Sequence, residues 1–156
     1  MKTLDDLLLL GDPRLYEKSE PVLPEELPLV REWVADLHQV MTQIRQKYNF
    51  GRAIAAPQLG IMKRLIYMHI DQPVVFINPE LDECSEELFE LWDDCMCFPH
   101  LLVKVKRHWS IRVNYLDEYW QPQTWRMEGA LSEMLQHEYD HLEGILLVDR
   151  MSPADK

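Results

Sequence analysis

Apolar positions along this chain fall into two periods. Between Leu27 and Tyr48 they come at Leu27, Val30, Val34, Leu37, Met41, Ile44 and Tyr48, alternately three and four residues apart. That is one stripe on a long helix, with Arg, Glu, Asp and Gln over the rest of its surface. The stripe stops at Asn49-Phe50-Gly51, which favours packing on the chain's own sheet over a coiled-coil partner. Residues 65–70 and 74–78 read as strands split by Asp71-Gln72-Pro73. Val103 and Val105, then Ile111, Val113 and Tyr115, alternate with polar residues and predict two more. Residues 117–122 read as a turn and 125–128 as a short strand. Gly129 breaks the chain before a second helix that carries Leu131, Met134, Leu135 and Leu142, and Gly144 is placed to end it.

Between these elements, Pro13, Pro21, Pro24 and Pro28 make residues 11–28 a loop. Residues 80–90 are acidic and expected to be exposed, with Cys84 an ordinary surface or packing residue. The stretch around Cys95 is expected to be a short loop, and residues 146–148 a short closing segment. Several strands joined mostly by turns, with two helices, predict an α+β fold: mostly antiparallel sheets packed around the second helix, with a long N-terminal helix. The 156 residues are expected to form one domain spanning 1–156.

Charge and composition narrow the function. A net charge of -11 argues against a nucleic-acid surface and against docking on an anionic membrane. No apolar run is long enough to span a bilayer. Leu7 to Leu10 is too short for a signal-peptide core and follows Asp5 and Asp6 where positive charge belongs. Three cysteines suggest no disulfide framework and point to a reducing, cytoplasmic setting.

The chemistry is concentrated in Gln136-His137-Glu138-Tyr139-Asp140-His141. Two histidines four apart lie on one helix face and can hold one ion. Glu138 follows the first, where a carboxylate reaches a water at that ion. The plainer reading, two packed core histidines, also fits a bare H-E-x-x-H. A third ligand discriminates. The H-E-x-x-H-x-x-G-x-x-H pattern holds through Gly144 but ends on Leu147, and the residues after His141 hold no glutamate except Glu143. The third ligand is therefore expected upstream, with Cys95 the best candidate; a His2Cys set leaves one position open for water. Gln58, a polar amide in the apolar run 53–59, either satisfies a loop or donates to a substrate oxygen.

With these residues in view the chain resembles the peptide deformylase family. Gly51 to Gln58 is similar to that family's G-x-G-x-A-A-x-Q, Asp93 to Cys97 to its E-G-C-x-S, and Gln136 to His141 matches its Q-H-E-x-D-H in full. Gly11 to Leu15 resembles its opening segment. The resemblance covers essentially the whole chain. It implies a metal-dependent amidohydrolase acting on a formamide, a C–N bond other than a peptide bond, and releasing formate from an N-formylated peptide or small N-formyl amine. It implies one divalent ion, commonly Fe2+, held by Cys95, His137 and His141. Zn2+, Ni2+ and Co2+ accept the same donors. It assigns Glu138 as general acid and base, and Gln58 with the Met96 backbone N–H as oxyanion donors. Tyr139 and Asp140 are assigned supporting roles.

Departures from the family pattern are specific. Ala53 stands where the family has a second glycine, Asp93 for Glu, Asp94 for Gly and Cys97 for Ser. Asp93 is expected to pair with Arg107, and Cys97 to be a non-ligand. Gly51, Arg52, Ala53 and Glu133 are expected at the substrate, Arg52 and Glu133 replacing apolar pocket residues. Either these two charges pair with each other, or the substrate is more polar than formyl-methionyl peptide. The family's long C-terminal helix, used by relatives to dock on the ribosome, has no counterpart among the residues after the second helix, so no such docking is expected. Two other readings stay open: a catalytically inactive deformylase-like binding protein, and a small metallopeptidase. Formate release separates the first reading from both.

Overall fold

A computed structural model describes residues 2–9, 11–48, 52–94 and 102–146. Gly51, Cys95, Met96 and Cys97 lie outside the described residues. The first helix, α1, runs Leu27–Tyr48, the full length of the predicted stripe. Seven strands follow: β1 (Ala53–Ala55), β2 (Leu65–His69), β3 (Pro73–Asp82), β4 (Leu88–Asp94), β5 (Leu102–His108), β6 (Ser110–Leu116) and β7 (Pro122–Glu128). The second helix, α2, spans Ala130–Leu142.

Every strand pairing is antiparallel, in a five-stranded sheet ordered β1-β2-β3-β6-β7 and a hairpin of β4 and β5. The larger sheet lies between the two helices. Successive side chains of a strand face opposite ways. Leu65 and Tyr67 of β2 join Leu37, Met41 and Ile44 of α1 in one core cluster. Ile66 and Met68 join Met134, Leu135 and Leu142 of α2 in another. The β4–β5 hairpin flanks α2 from another side, and Val103 and Val105 form a smaller cluster with Leu8, Leu15 and Leu146. The α+β fold with a central metal-motif helix is the one the sequence predicts.

Three segments differ from the sequence reading. β1 is a three-residue strand in the run that had read only as closely packed small residues. β3 continues to Asp82, into the acidic stretch. β4 occupies residues expected to be exposed coil and loop. The signal in β4 is inverted: Leu88 and Trp92 are exposed at 51% and 61%, whereas Asp93 on the other face is buried. An apolar-inward alternation cannot be read from such a strand. Residue 146, in the predicted closing segment, is buried but is not strand.

Candidate metal centre

Helix α2 is buried nearly all round, polar residues included: Glu133, Gln136, His137, Glu138, Asp140 and His141 are all buried. Buried polar groups require partners, and the partners divide by helix face.

One face holds the helix to β5. The Gln136 side chain accepts from the His108 backbone N–H at 3.0 Å and donates to the His108 carbonyl at 2.8 Å, so it extends the strand's pairing pattern. Ser132 Oγ donates to the same carbonyl at 2.8 Å. One turn on, Asp140 accepts from Arg107 Nη1 at 2.7 Å. The sequence quoted Gln136 as part of a motif but gave it no structural role.

The other face carries His137, His141, Glu138 and Glu133. The imidazole rings of His137 and His141 have centroids 5.3 Å apart and are tilted by 50°. His137 Nδ1 donates to Asp93 Oδ2 at 3.0 Å, which leaves Nε2 as the ring nitrogen open to another partner. Glu138 Oε1 lies 3.9 Å from that Nε2, and Glu138 Oε2 is buried with no hydrogen-bond partner among the described residues. Arg107 Nη2 stands 3.9 Å from Asp93, so the predicted Asp93–Arg107 pair exists, but the shorter contact of Arg107 is to Asp140. The carboxylate that meets His137 is thus Asp93 on β4.

Among the described residues no ion pair joins Glu133 to Arg52, the partner considered from sequence. The Glu133 carboxyl lies beside Asp93: one possible ligand atom each from Asp93, Glu133 and His137 lie within 4.8 Å of one another. Arg52 is exposed at the start of β1. The alternative in which Arg52 and Glu133 neutralise each other is therefore corrected. Asp93 meets His137 at Nδ1, which leaves Nε2 on the other edge of the ring.

Electrostatics fit that division. Burial works against ionisation of Asp93, but the hydrogen bond and charge of His137 outweigh it and hold the carboxyl at about 2. Burial and the neighbouring Asp93 carboxyl push Glu133 up to about 8. Burial alone would lower His137, yet its bond to Asp93 and the charges of Glu138 and Asp93 lift it to about 9. Burial and the His137 cation keep His141 well below the usual histidine value. Burial raises Glu138 to about 7. A cation shared by both imidazoles would have to displace the His137 proton, since a ligating histidine is neutral.

Gln58 is fully buried in the turn after β1, and its Oε1 accepts the Ala55 N–H at 2.9 Å. That bond fixes the orientation of the amide, with its NH2 on the opposite side. Ala53 is buried in β1, the edge strand of the larger sheet and a neighbour of α2.

The comparisons agree with this geometry. The sequence model of the polypeptide deformylase family matches residues 4–156. The peptide deformylase of Thermotoga maritima is 33% identical over 150 residues, covering 95% of this chain and 87% of the relative. That of Treponema pallidum is 35% identical over 147 residues, covering 94% and 87%. The crystal structure of the Thermotoga maritima enzyme superposes with a TM-score of 0.84 at 32% identity, over 94% of this chain and 97% of that one. A Synechococcus elongatus peptide deformylase, solved in complex with actinonin, gives 0.86 at 32% identity, over 94% and 78%. With the family's histidine helix set on a sheet of the same topology, and with sequence likeness along almost its whole length, this chain belongs to the polypeptide deformylase family.

Proposed function

We propose that this protein hydrolyses the N-formyl group of a peptide or small amine, releasing formate, at a divalent ion held by His137, His141 and Cys95. The observation that carries the reading is the buried face of α2, where two imidazoles, one oriented by Asp93, stand beside a carboxylate with an unsatisfied oxygen. The relatives' name, peptide deformylase, supplies the reaction class. Fe2+ is the ion we assign, with Zn2+, Ni2+ and Co2+ compatible with the same donors. When bound, such an ion supplies Lewis acidity, making water nucleophilic near neutral pH and polarising the formyl oxygen.

The chain's own groups do the rest. Glu138, raised to about 7, takes the proton of the attacking water and returns it to the leaving amine. The Gln58 amide, held by Ala55, donates to the oxygen on which negative charge develops, and the Met96 backbone N–H is the second donor we assign. The outer edge of β1, which ends the sheet order among the described residues, offers Ala53 and its neighbours to an extended substrate as an added strand. Arg52 adjoins that edge and is exposed, while Glu133 is buried beside Asp93. An unmatched cation at the substrate edge favours a substrate more polar than formyl-methionyl peptide. We place the activity in the cytoplasm, with no nucleic-acid or membrane partner.

The test is purification without added metal, elemental analysis, and a formate-release screen over formyl-Met-Ala and formyl amines with charged side chains. Bound metal and formate release are expected, with acidic substrates favoured. No formate from any substrate would leave only a binding protein. A wide preference for formyl-Met-Ala would remove the polar-substrate part alone. Cys95→Ala should lose the ion; full metal content in that variant would take Cys95 out of the ligand set.

A further inference from the structure

We propose that a cavity on the side of α2 away from the histidine pair binds a small aromatic carboxylate, a flat apolar body carrying one negative charge. The proposal stands independently of the hydrolytic reading.

The cavity lies between the β4–β5 hairpin, the end of β3 and the C-terminal half of α2, and holds about 770 Å³. Pockets that enclose small molecules span roughly 300–1,000 Å³. On α2 its wall is Gln136, Tyr139, Asp140 and Glu143. That spacing sets them on one stripe, roughly a third of a turn round the helix from His137 and His141. The cavity and the metal centre therefore use different faces of one helix.

Part of the wall is apolar where the fold has no need of it. Leu88, at the start of β4, is 51% exposed and lines the cavity. The half-buried Leu81, Tyr139 and Ile145 line it as well. Apolar side chains converging from separate elements leave a concave surface that a hydrocarbon body would cover.

Charge selects the occupant. Lys18, Lys106 and Arg107 line the cavity against two carboxylates, in a chain of net charge -11. Glu143 stands 3.5 Å from Lys18, and Asp140 stands 2.7 Å from Arg107. Lys106 is exposed and has no ion pair among the described residues. Glu90, directly opposite it on β4, pairs with Lys104 at 2.9 Å. One ammonium is thus left over beside an apolar wall. An aromatic carboxylate complements both, its ring against Leu88 and Tyr139 and its charge at Lys106.

Cys84 lines the same cavity and is exposed, so its reactivity reports occupancy. The test uses the full chain with its metal bound and two probes of one shape, 2-naphthoate and the uncharged 2-naphthamide. The readout is the slowing of Cys84 alkylation by iodoacetamide, resolved by peptide mass mapping from any reaction at Cys95 or Cys97. Saturable protection of Cys84 by 2-naphthoate is expected. The amide should need about two- to fivefold higher concentration, the worth of one exposed ion pair. Lys106→Gln should remove that difference, and Leu88→Asn should weaken both probes. Both substitutions are at exposed positions and leave the core intact. Absence of protection, equal protection by acid and amide, or wild-type protection in both variants would overturn the proposal. A cavity filled by residues 147–156 would give the first of these results. Naphthoate bound at the metal instead would change formate release without protecting Cys84, and would overturn it equally.

Discussion

Arg107 is 4% exposed, yet its guanidinium faces two carboxylates from different elements, Asp140 on α2 and Asp93 on β4. Removing one member of a buried ionic group leaves the others uncompensated, at a cost of about 3–5 kcal/mol. Arg107→Leu is therefore expected to lower unfolding free energy by about that amount, read from urea denaturation, and to weaken metal retention through Asp93. A change under about 1 kcal/mol would mean that water already screens the cluster. Glu138 is tested differently. Glu138→Gln should keep its metal by elemental analysis while formate release falls about 10²–10⁴-fold, the usual contribution of a positioned acid–base group. Near-normal turnover would assign the proton transfer to another residue. At this scale the sequence showed which residues carry chemistry, because His137, Glu138 and His141 are spaced by one helix. It did not show that Glu133 meets Asp93 rather than Arg52, because that depends on a strand forty residues away in sequence.

The end of α2 is held by the N-terminal segment. Gly144 has φ +74°, its N–H donates to the His141 carbonyl, and Ser19 N–H and Arg64 Nη1 donate to the Leu142 carbonyl. A Cβ on residue 144 would stand 2.6 Å from the Tyr16 carbonyl oxygen, which is backbone and cannot rotate aside. Gly144→Ala combines this clash with a left-handed conformation that costs a side-chain residue about 1–3 kcal/mol. A lower urea midpoint with an unchanged slope is the expected result, and a midpoint equal to wild type would show that the loop around Tyr16 gives way. Of the elements themselves, α1 was legible from Leu27 to Tyr48 because every member of its stripe enters one core cluster. β4 was not, because its apolar side chains Leu88 and Trp92 face outward and its buried Asp93 is polar.

Across the whole molecule, the ionisable cluster on α2 couples stability to pH. His137 at about 9, Glu133 at about 8 and Glu138 at about 7 all bind protons more tightly folded than unfolded. Each such group stabilises the fold below its unfolded value, and the contribution is lost as pH rises through the folded one. His141, held low, contributes fully above its ordinary value of 6.5 and adds no slope there. Above pH 6.5 the contributions of Glu138, Glu133 and His137 are lost in turn, by about pH 7, 8 and 9, so the metal-free protein should melt at progressively lower temperature over that range. An ion replaces the His137 proton, so the increase in melting temperature on metal loading should grow over the same range. A flat metal-free profile would show that these groups are solvated. The sequence by itself determined the long N-terminal helix, the antiparallel α+β architecture and the pairing of two histidines with a glutamate on one helical turn. Those properties depend on local periodicity, which a linear chain displays. Only the tertiary structure decided that Asp93 supports His137 across 44 positions, that Gln136 continues the β5 pairing and that Arg107 reaches Asp140. Those contacts depend on which surfaces the core brings together, and no local period encodes them.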